Sequence, residues 1–173
     1  MSLTLLLGGA RSGKSRLAVR LAQDRGAPVV YVATGEGRDD EMQGRIEQHR
    51  AERPAGWTTV EEPLELEQAI RGAPDDATLV VDCLSLWVAN ALERGPVDEV
   101  EALGAAAAAA AAARGGLTIA VSNEVGLGIV PMHPLGRAYR DLLGRVNAGW
   151  SEAADEAYFV VAGRTLALER LHV

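Results

Sequence analysis

The segment Gly8-Gly9-Ala10-Arg11-Ser12-Gly13-Lys14-Ser15 has the composition and spacing of a loop that binds phosphate. Its glycines let the backbone curl so that successive N–H groups point inward at phosphate oxygens. The helix that follows adds the positive end of its dipole. In such a loop Lys14 reaches the β- and γ-phosphates of a nucleotide, and the Ser15 hydroxyl sits on Mg²⁺. The same chemistry needs an acidic partner at the end of a neighbouring strand, holding magnesium through water. Leu79-Val80-Val81-Asp82 supplies a carboxylate in that form. Asp82 equally suits a cap for a helix beginning at Leu84, and on sequence both uses stay open. Cys83 beside it reads as a small buried filler rather than a nucleophile.

A second constellation lies in Asp39–Arg53, which begins with acids and ends with bases, as a helix dipole favours. At about 100° per residue, Arg45, His49 and Arg53 share one stripe. Met42 and Ile46 lie close to the same line, so the stripe faces protein or a cleft. A histidine among arginines is biased towards the neutral, nucleophilic imidazole, and the arginines suit bidentate phosphate binding. A packed or solvated histidine at a dipole-matched helix end fits the periodicity as well. His133, in the turn Pro131-Met132-His133-Pro134, is expected to face solvent, and His172 to lie at a frayed C-terminus. Neither has ligand spacing, so no zinc site is expected. Asn123 and Glu124 follow the apolar run Leu117–Ser122, where polar groups face the crevice at the carboxyl end of a parallel strand. Gly126 and Gly128 then allow close approach to a ligand, or simply a turn. Arg137, Asp141 and Arg145 of the later basic helix keep i, i+4, i+8 spacing, so a solvated ion-pair ladder is the plain alternative to a functional role there.

These groups need a scaffold, and the apolar pattern describes one. Leu3–Leu7, Val29–Ala33, Leu79–Asp82, Leu117–Ser122 and Ala157–Val161 are short and nearly continuous, as strands buried on both faces of a parallel sheet are. Helical patterns lie between them at Lys14–Asp24, Asp39–Arg53, Leu64–Ile70, Leu84–Leu92, Val97–Ala113 and Leu135–Ala154. The alternation predicts an α/β fold, a mostly parallel sheet with helices on both faces. Ala157–Val161 and Thr165–Leu168, separated by Ala162-Gly163-Arg164, predict an antiparallel hairpin closing the sheet. Pro74-Asp75-Asp76 reads as a turn. The run Ala105–Ala113 is a strong helix former, expected at the surface. No repeat or linker divides residues 1–173, so one domain is expected.

Composition removes several functions. A net charge of -7 and a pI near 5.0 leave no electrostatic footprint for nucleic acid or an anionic membrane. One cysteine makes an intramolecular disulfide or a cysteine-rich metal site impossible. Met1–Leu7 runs into the glycine loop without a signal pattern, and Leu103–Ala113 is too short to span a bilayer. A cytoplasmic enzyme without an intrinsic membrane segment is the expectation.

Taken together, the motifs carry a family resemblance. GGARSGKS is followed by Tyr31-Val32-Ala33-Thr34, Asp39-Asp40-Glu41-Met42, Arg45-Ile46, His49-Arg50, Trp57 and Glu61. Then come Asp82-Cys83-Leu84-Ser85-Leu86-Trp87, Asn90, Ser122 through Pro131, Arg137, Arg140-Asp141, Gly144-Arg145-Val146-Asn147 and Ala154-Asp155. From about Leu5 to Leu168 the chain resembles the bifunctional adenosylcobinamide kinase and adenosylcobinamide-phosphate guanylyltransferase family of cobalamin biosynthesis. The resemblance implies two reactions. The γ-phosphate of a nucleotide goes to the aminopropanol hydroxyl of adenosylcobinamide, and GMP then moves from GTP onto that phosphate through a guanylylated histidine, which His49 matches. It further implies nucleotide contacts at Gly8–Ser15, Ala33, Thr34, Gly35, Arg50, Ala51, Glu52, Arg53, Glu61 and Asp82. GTP or ATP would serve as substrates with Mg²⁺ at Ser15 and Asp82, on a RecA-like P-loop NTPase fold assembled as a trimer or larger ring. The rival readings are a single-activity P-loop kinase or guanylyltransferase, and a non-catalytic nucleotide-sensing module.

Overall fold

The computed structural model describes residues 2–51 and 53–170, the side chains of Glu41 and Arg45 excepted. Glu52, His172 and the Arg45 side chain of the expected stripe therefore lie outside the described residues. The runs rich in Val, Leu and Ile pair as one sheet. Its strands are β1 (Ser2–Gly8), β2 (Val29–Ala33), β3 (Thr58–Glu61), β4 (Thr78–Asp82), β5 (Leu117–Asn123), β6 (Glu156–Val161) and β7 (Arg164–Ala167). The order is β3-β2-β4-β5-β1-β6-β7, parallel throughout except that β7 returns antiparallel to β6. Register pairs Gly8 with Asn123, and Ala33 with both Asp82 and Glu61. The polar strand ends are thus aligned along one edge, where open α/β sheets bind ligands.

The helices are α1 (Lys14–Asp24), α2 (Asp40–Ala51), α3 (Leu66–Gly72), α4 (Leu84–Leu92), α5 (Val97–Ala113) and α6 (Pro134–Ala153). Strand side chains alternate between two cores, as a period of two requires. Leu3, Leu5, Val32, Leu79 and Val81 pack under α3–α6 with Trp87 and Trp150. Leu6, Tyr31, Val80, Ile119 and Val121 meet Ala18 and Ala22 of α1. Both faces are covered, but unequally. No described side chain of α2 is buried. Among the described residues, no helix is long and apolar enough to cross a membrane.

The hairpin and the turn at Pro74-Asp75-Asp76 form as expected, except that Arg164 already belongs to β7, so Ala162 and Gly163 alone make the hairpin turn. Ala162 (φ 50) and Gly163 (φ 74) both take positive φ, as a two-residue hairpin turn of primed type demands. Four expectations need correction. The alanine run is not a surface helix, because Gly104, Ala107, Ala108, Ala110 and Ala111 are buried where α5 meets α6 and α3. A Cβ on Gly104 would stand 3.2 Å from Val146 Cγ2, and the Trp150 indole N–H donates to the Gly104 carbonyl (3.1 Å). Small residues let these helices approach closely, and a run of one small apolar residue carries no periodicity to reveal its buried face. Strand β3 has no counterpart in the apolar pattern, because it is an edge strand with mostly exposed side chains. Helix α2 ends at Ala51, short of Arg53. The ladder on α6 does not form. Arg145 pairs with Glu101 of α5 (2.7 Å), Arg140 with its neighbour Asp141, and Arg137 donates to the Pro131 and Met132 carbonyls. Packing against α5 and the preceding turn offers these arginines closer partners than one another.

Candidate nucleotide site

Strand β1 delivers the loop through Gly8. Its φ of 152 and a virtual Cβ only 2.2 Å from the Val160 carbonyl oxygen exclude any side chain there. Gly13, at φ 103, makes the left-handed step into α1. The hairpin turn braces the loop from outside, the Gly163 N–H donating to the Ser12 carbonyl (2.9 Å). Lys14 is buried, and its ammonium donates to the carbonyls of Gly8 (2.9 Å) and Gly9 (2.7 Å) and to Ser12 Oγ (3.4 Å). The loop's own oxygens thus hold the Lys14 ammonium in place. Burial lowers the Lys14 pKa, and the nearby Asp82 charge opposes the shift.

Asp82 closes β4 on the same edge. The Tyr31 hydroxyl of β2 donates to Asp82 Oδ2, and the Arg53 guanidinium lies over the Tyr31 ring, 3.9 Å from its centroid. Burial, and next the Asp82 charge, push the Tyr31 pKa far above its ordinary value, so the hydroxyl remains a donor. Asp82 does not cap α4. The N-cap is Cys83, without a side-chain cap bond, and that alternative falls. Cys83 is buried with its thiol pushed up to about 11, foremost by desolvation, which bears out its reading as filler. Thr34 is fully buried. Its Oγ1 donates to the Cys83 carbonyl (2.7 Å) and accepts the Cys83 N–H (2.9 Å), tying the ends of β2 and β4 together.

His49 arrives on the last turn of α2. Asp39 Oδ1 caps that helix by accepting the Met42 N–H (2.7 Å). His49 Nδ1 stands 3.9 Å from Asp82 Oδ2. Of the arginines expected on its stripe, the Arg45 side chain lies outside the described residues and Arg53 sits over the Tyr31 ring, while Arg50 pairs with Glu61. Among the described residues the charged group paired with it is the Asp82 carboxylate. Arg53 reaches the cleft from the turn beyond α2 rather than as part of a helical stripe.

One cleft of about 570 Å³ is lined by the loop from Ala10 to Arg16, by His49, Arg50 and Arg53, by Ala33 and Gly35, and by Glu61 and Asp82. The remaining sites expected for nucleotide lie differently. Gly8 and Gly9 hold Lys14 through their carbonyls, Thr34 is a buried brace, and Ala51 is exposed outside the lining. Asn123 does line the cleft, its amide donating to Ser85 Oγ (2.9 Å), whereas Glu124 turns back to the Gly126 N–H. Sequence reasoning assigned no role to Tyr31. The available signal was a tyrosine in a run of doubly buried strand residues, whose hydroxyl must find a partner. It also missed the chain behind Asn123, in which Asn147 Nδ2 donates to the Asn123 carbonyl (3.0 Å) and Ser122 Oγ to Asn147 Oδ1 (2.6 Å). Ser15 and Asp82 both border the cleft. Among the described residues no group of three or more His, Cys, Asp or Glu side chains is placed to hold a metal by itself.

Residues 4–168 match the family described as cobinamide kinase / cobinamide phosphate guanyltransferase. The chain belongs to that family. Relatives of this cobinamide kinase / guanyltransferase chain agree over nearly its whole length. It is 44% identical over 166 residues to the bifunctional adenosylcobalamin biosynthesis protein CobP of Pseudomonas aeruginosa, covering 95% of this chain and 96% of that protein. It is 42% identical to the corresponding protein CobU of Salmonella typhimurium, covering 92% and 95%. Two solved structures share the fold at low identity. The RadB recombinase has a TM-score of 0.51 and 16% identity, covering 91% of this chain and 73% of that one. An ATPase of a bacterial type III secretion system has a TM-score of 0.55 and 13% identity, covering 96% and 56%. The sheet is a RecA-like P-loop fold, as expected.

Proposed function

We propose that this chain phosphorylates adenosylcobinamide with a nucleoside triphosphate and then transfers GMP from GTP to the resulting phosphate through His49, releasing pyrophosphate. The observation that carries the reading is the convergence of the phosphate loop, His49 and Asp82 on one cleft, with His49 Nδ1 3.9 Å from Asp82 Oδ2. Facing Asp82 through Nδ1 leaves Nε2 free to attack the α-phosphorus, with pyrophosphate as leaving group. The phosphoramidate is then opened by the phosphate of the acceptor, splitting one transfer into two. The loop amides and Lys14 hold charge that builds on the phosphates in both reactions. Arg50 and Arg53 border the cleft, where guanidinium groups suit phosphate.

The site fits Mg²⁺ as a P-loop does, with one hydroxyl and one carboxylate from the protein and the other ligands from phosphate and water. Ser15 and the Asp82 oxygen not engaged by Tyr31 would hold it. When bound, the ion neutralises phosphate charge. Residues 1–173 carry both reactions on one domain in this reading, without nucleic acid, in the cytoplasm. We further propose a homo-oligomer, a trimer or larger. Its support is the exposed apolar segment after β5, in which Leu127, Ile129 and Met132 are 81%, 98% and 90% exposed.

The test is a separation of activities. With adenosylcobinamide, ATP and GTP, the wild-type chain should yield first the phosphate and then the GDP derivative. His49→Ala should stop at the phosphate, and Lys14→Ala should lose both. An H49A protein that still makes the GDP derivative at the wild-type rate would refute the assignment.

A further inference from the structure

Between α1 and the β6–β7 hairpin lies a second pocket, of about 440 Å³. It shares Gly13 and Arg16 with the nucleotide cleft, and its other walls are Leu17 and Arg20 of α1 and Val160, Gly163, Arg164 and Thr165 of the hairpin. Arg16 and Arg20 are one helical turn apart and so lie on the same side of α1. The Gly163 N–H bond to the Ser12 carbonyl (2.9 Å) fixes Arg164 beside the phosphate loop. No acidic side chain lines the pocket.

The charge is the informative feature. Acidic residues outnumber Lys and Arg by 24 to 17. Arg38, Arg50, Arg71, Arg94, Arg140 and Arg145 all pair with carboxylates. Among the described residues Arg16, Arg20 and Arg164, all exposed, meet none; Arg11, Arg25 and Arg137 share that lack, but only these three line this one cavity together. Three guanidinium groups without a carboxylate partner on the wall of one cavity give it a positive potential that favours an anion. Their planar, multidentate donors match phosphate.

We infer that this pocket is a second anion site, which takes adjacent phosphate groups: free pyrophosphate, or the polyphosphate tail of a nucleotide. The cavity has room for a diphosphate with part of its hydration. The pyrophosphate source rests on the guanylyl transfer proposed above, in which a diphosphate freed on the loop passes Gly13 and Arg16 to reach it. The site thus offers the product a place off the loop while the next nucleotide binds.

Calorimetric titration of the full chain, first saturated with a non-hydrolysable GTP analogue, tests this without turnover. Inorganic pyrophosphate should bind as one further equivalent. The double variant Arg20→Glu, Arg164→Glu should weaken that binding at least tenfold while the first equivalent of analogue binds as in wild type. Titrating more analogue separates the sources. A second analogue equivalent that the variant loses identifies the polyphosphate tail, and a single equivalent identifies free pyrophosphate. Absence of any further equivalent, equal pyrophosphate binding in the variant, or equal competition by phosphate-free guanosine would overturn the assignment. Because the readout is binding, it stands apart from any failure of His49 to carry GMP.

Discussion

Removing the Tyr31 hydroxyl is the most selective way to disturb the carboxylate that faces both the phosphate loop and His49. Tyr31→Phe keeps the buried ring, the Arg53 guanidinium 3.9 Å above it and the Trp57 ring 6.3 Å away, and deletes only the bond to Asp82 Oδ2. A hydrogen bond to a charged group contributes about 1.5–3 kcal/mol. The Asp82 side chain is 11% exposed, so water restores little of the lost bond. Because only the hydroxyl is removed and the packing stays, the lower end of the range is expected, and about 1.5 kcal/mol corresponds to roughly a tenfold loss of rate. Single-turnover formation of the GMP adduct from α-labelled GTP, followed across a Mg²⁺ titration, is the assay. The loss should be accompanied by a weaker Mg²⁺ dependence and a melting temperature close to wild type. Wild-type rate and unchanged Mg²⁺ dependence in a folded Y31F protein would show that Tyr31 does not position Asp82.

Other consequences are equally open to measurement. Gly104→Leu forces a side chain against Val146 and Trp87 and should cost about 1–3 kcal/mol, read as a lowered urea midpoint. Asn90→Ala leaves the Thr34 carbonyl without its 2.8 Å donor and should destabilise by about 1–3 kcal/mol in the same experiment. The fold raises the Cys83 thiol to about 11 from 9.0, so the stability it contributes is complete below pH 9 and is lost as pH rises from about 9 to about 11. Urea midpoints across that window should fall more steeply in wild type than in Cys83→Ala, and equal slopes would contradict it. Helix α2 buries no described side chain, so its amides should exchange early with deuterium and gain protection when nucleotide fills the cleft.

The loop, the strand carrying Asp82 and the hairpin were legible because each couples a local pattern to a required backbone state. Gly8 and Gly13 need φ values that only glycine supplies freely, and the apolar run before Asp82 has no solvated face. What stayed hidden depends on neighbours distant in sequence. Tyr31 meets Asp82 only because β2 and β4 are adjacent in register, which no spacing along the chain encodes. The buried face of α5 was invisible because alanine alone gives helix propensity without direction. Edge strand β3 escaped because it pairs on one side only, and so carries few apolar residues. His49 could be named but not placed. Its stripe promised arginine neighbours; the Arg45 side chain lies outside the described residues, Arg53 is drawn over the Tyr31 ring, and Asp82, distant in sequence, stands 3.9 Å away.

Everything proposed for the cleft converges on one covalent bond. The protein should be incubated with GTP labelled at the α-phosphate, digested under alkaline conditions and mapped by peptide. The account predicts one acid-labile, hydroxylamine-sensitive GMP group on His49, absent from His49→Ala and released by phosphorylated adenosylcobinamide. Tight GTP binding with no adduct, or an adduct on another residue, would contradict it.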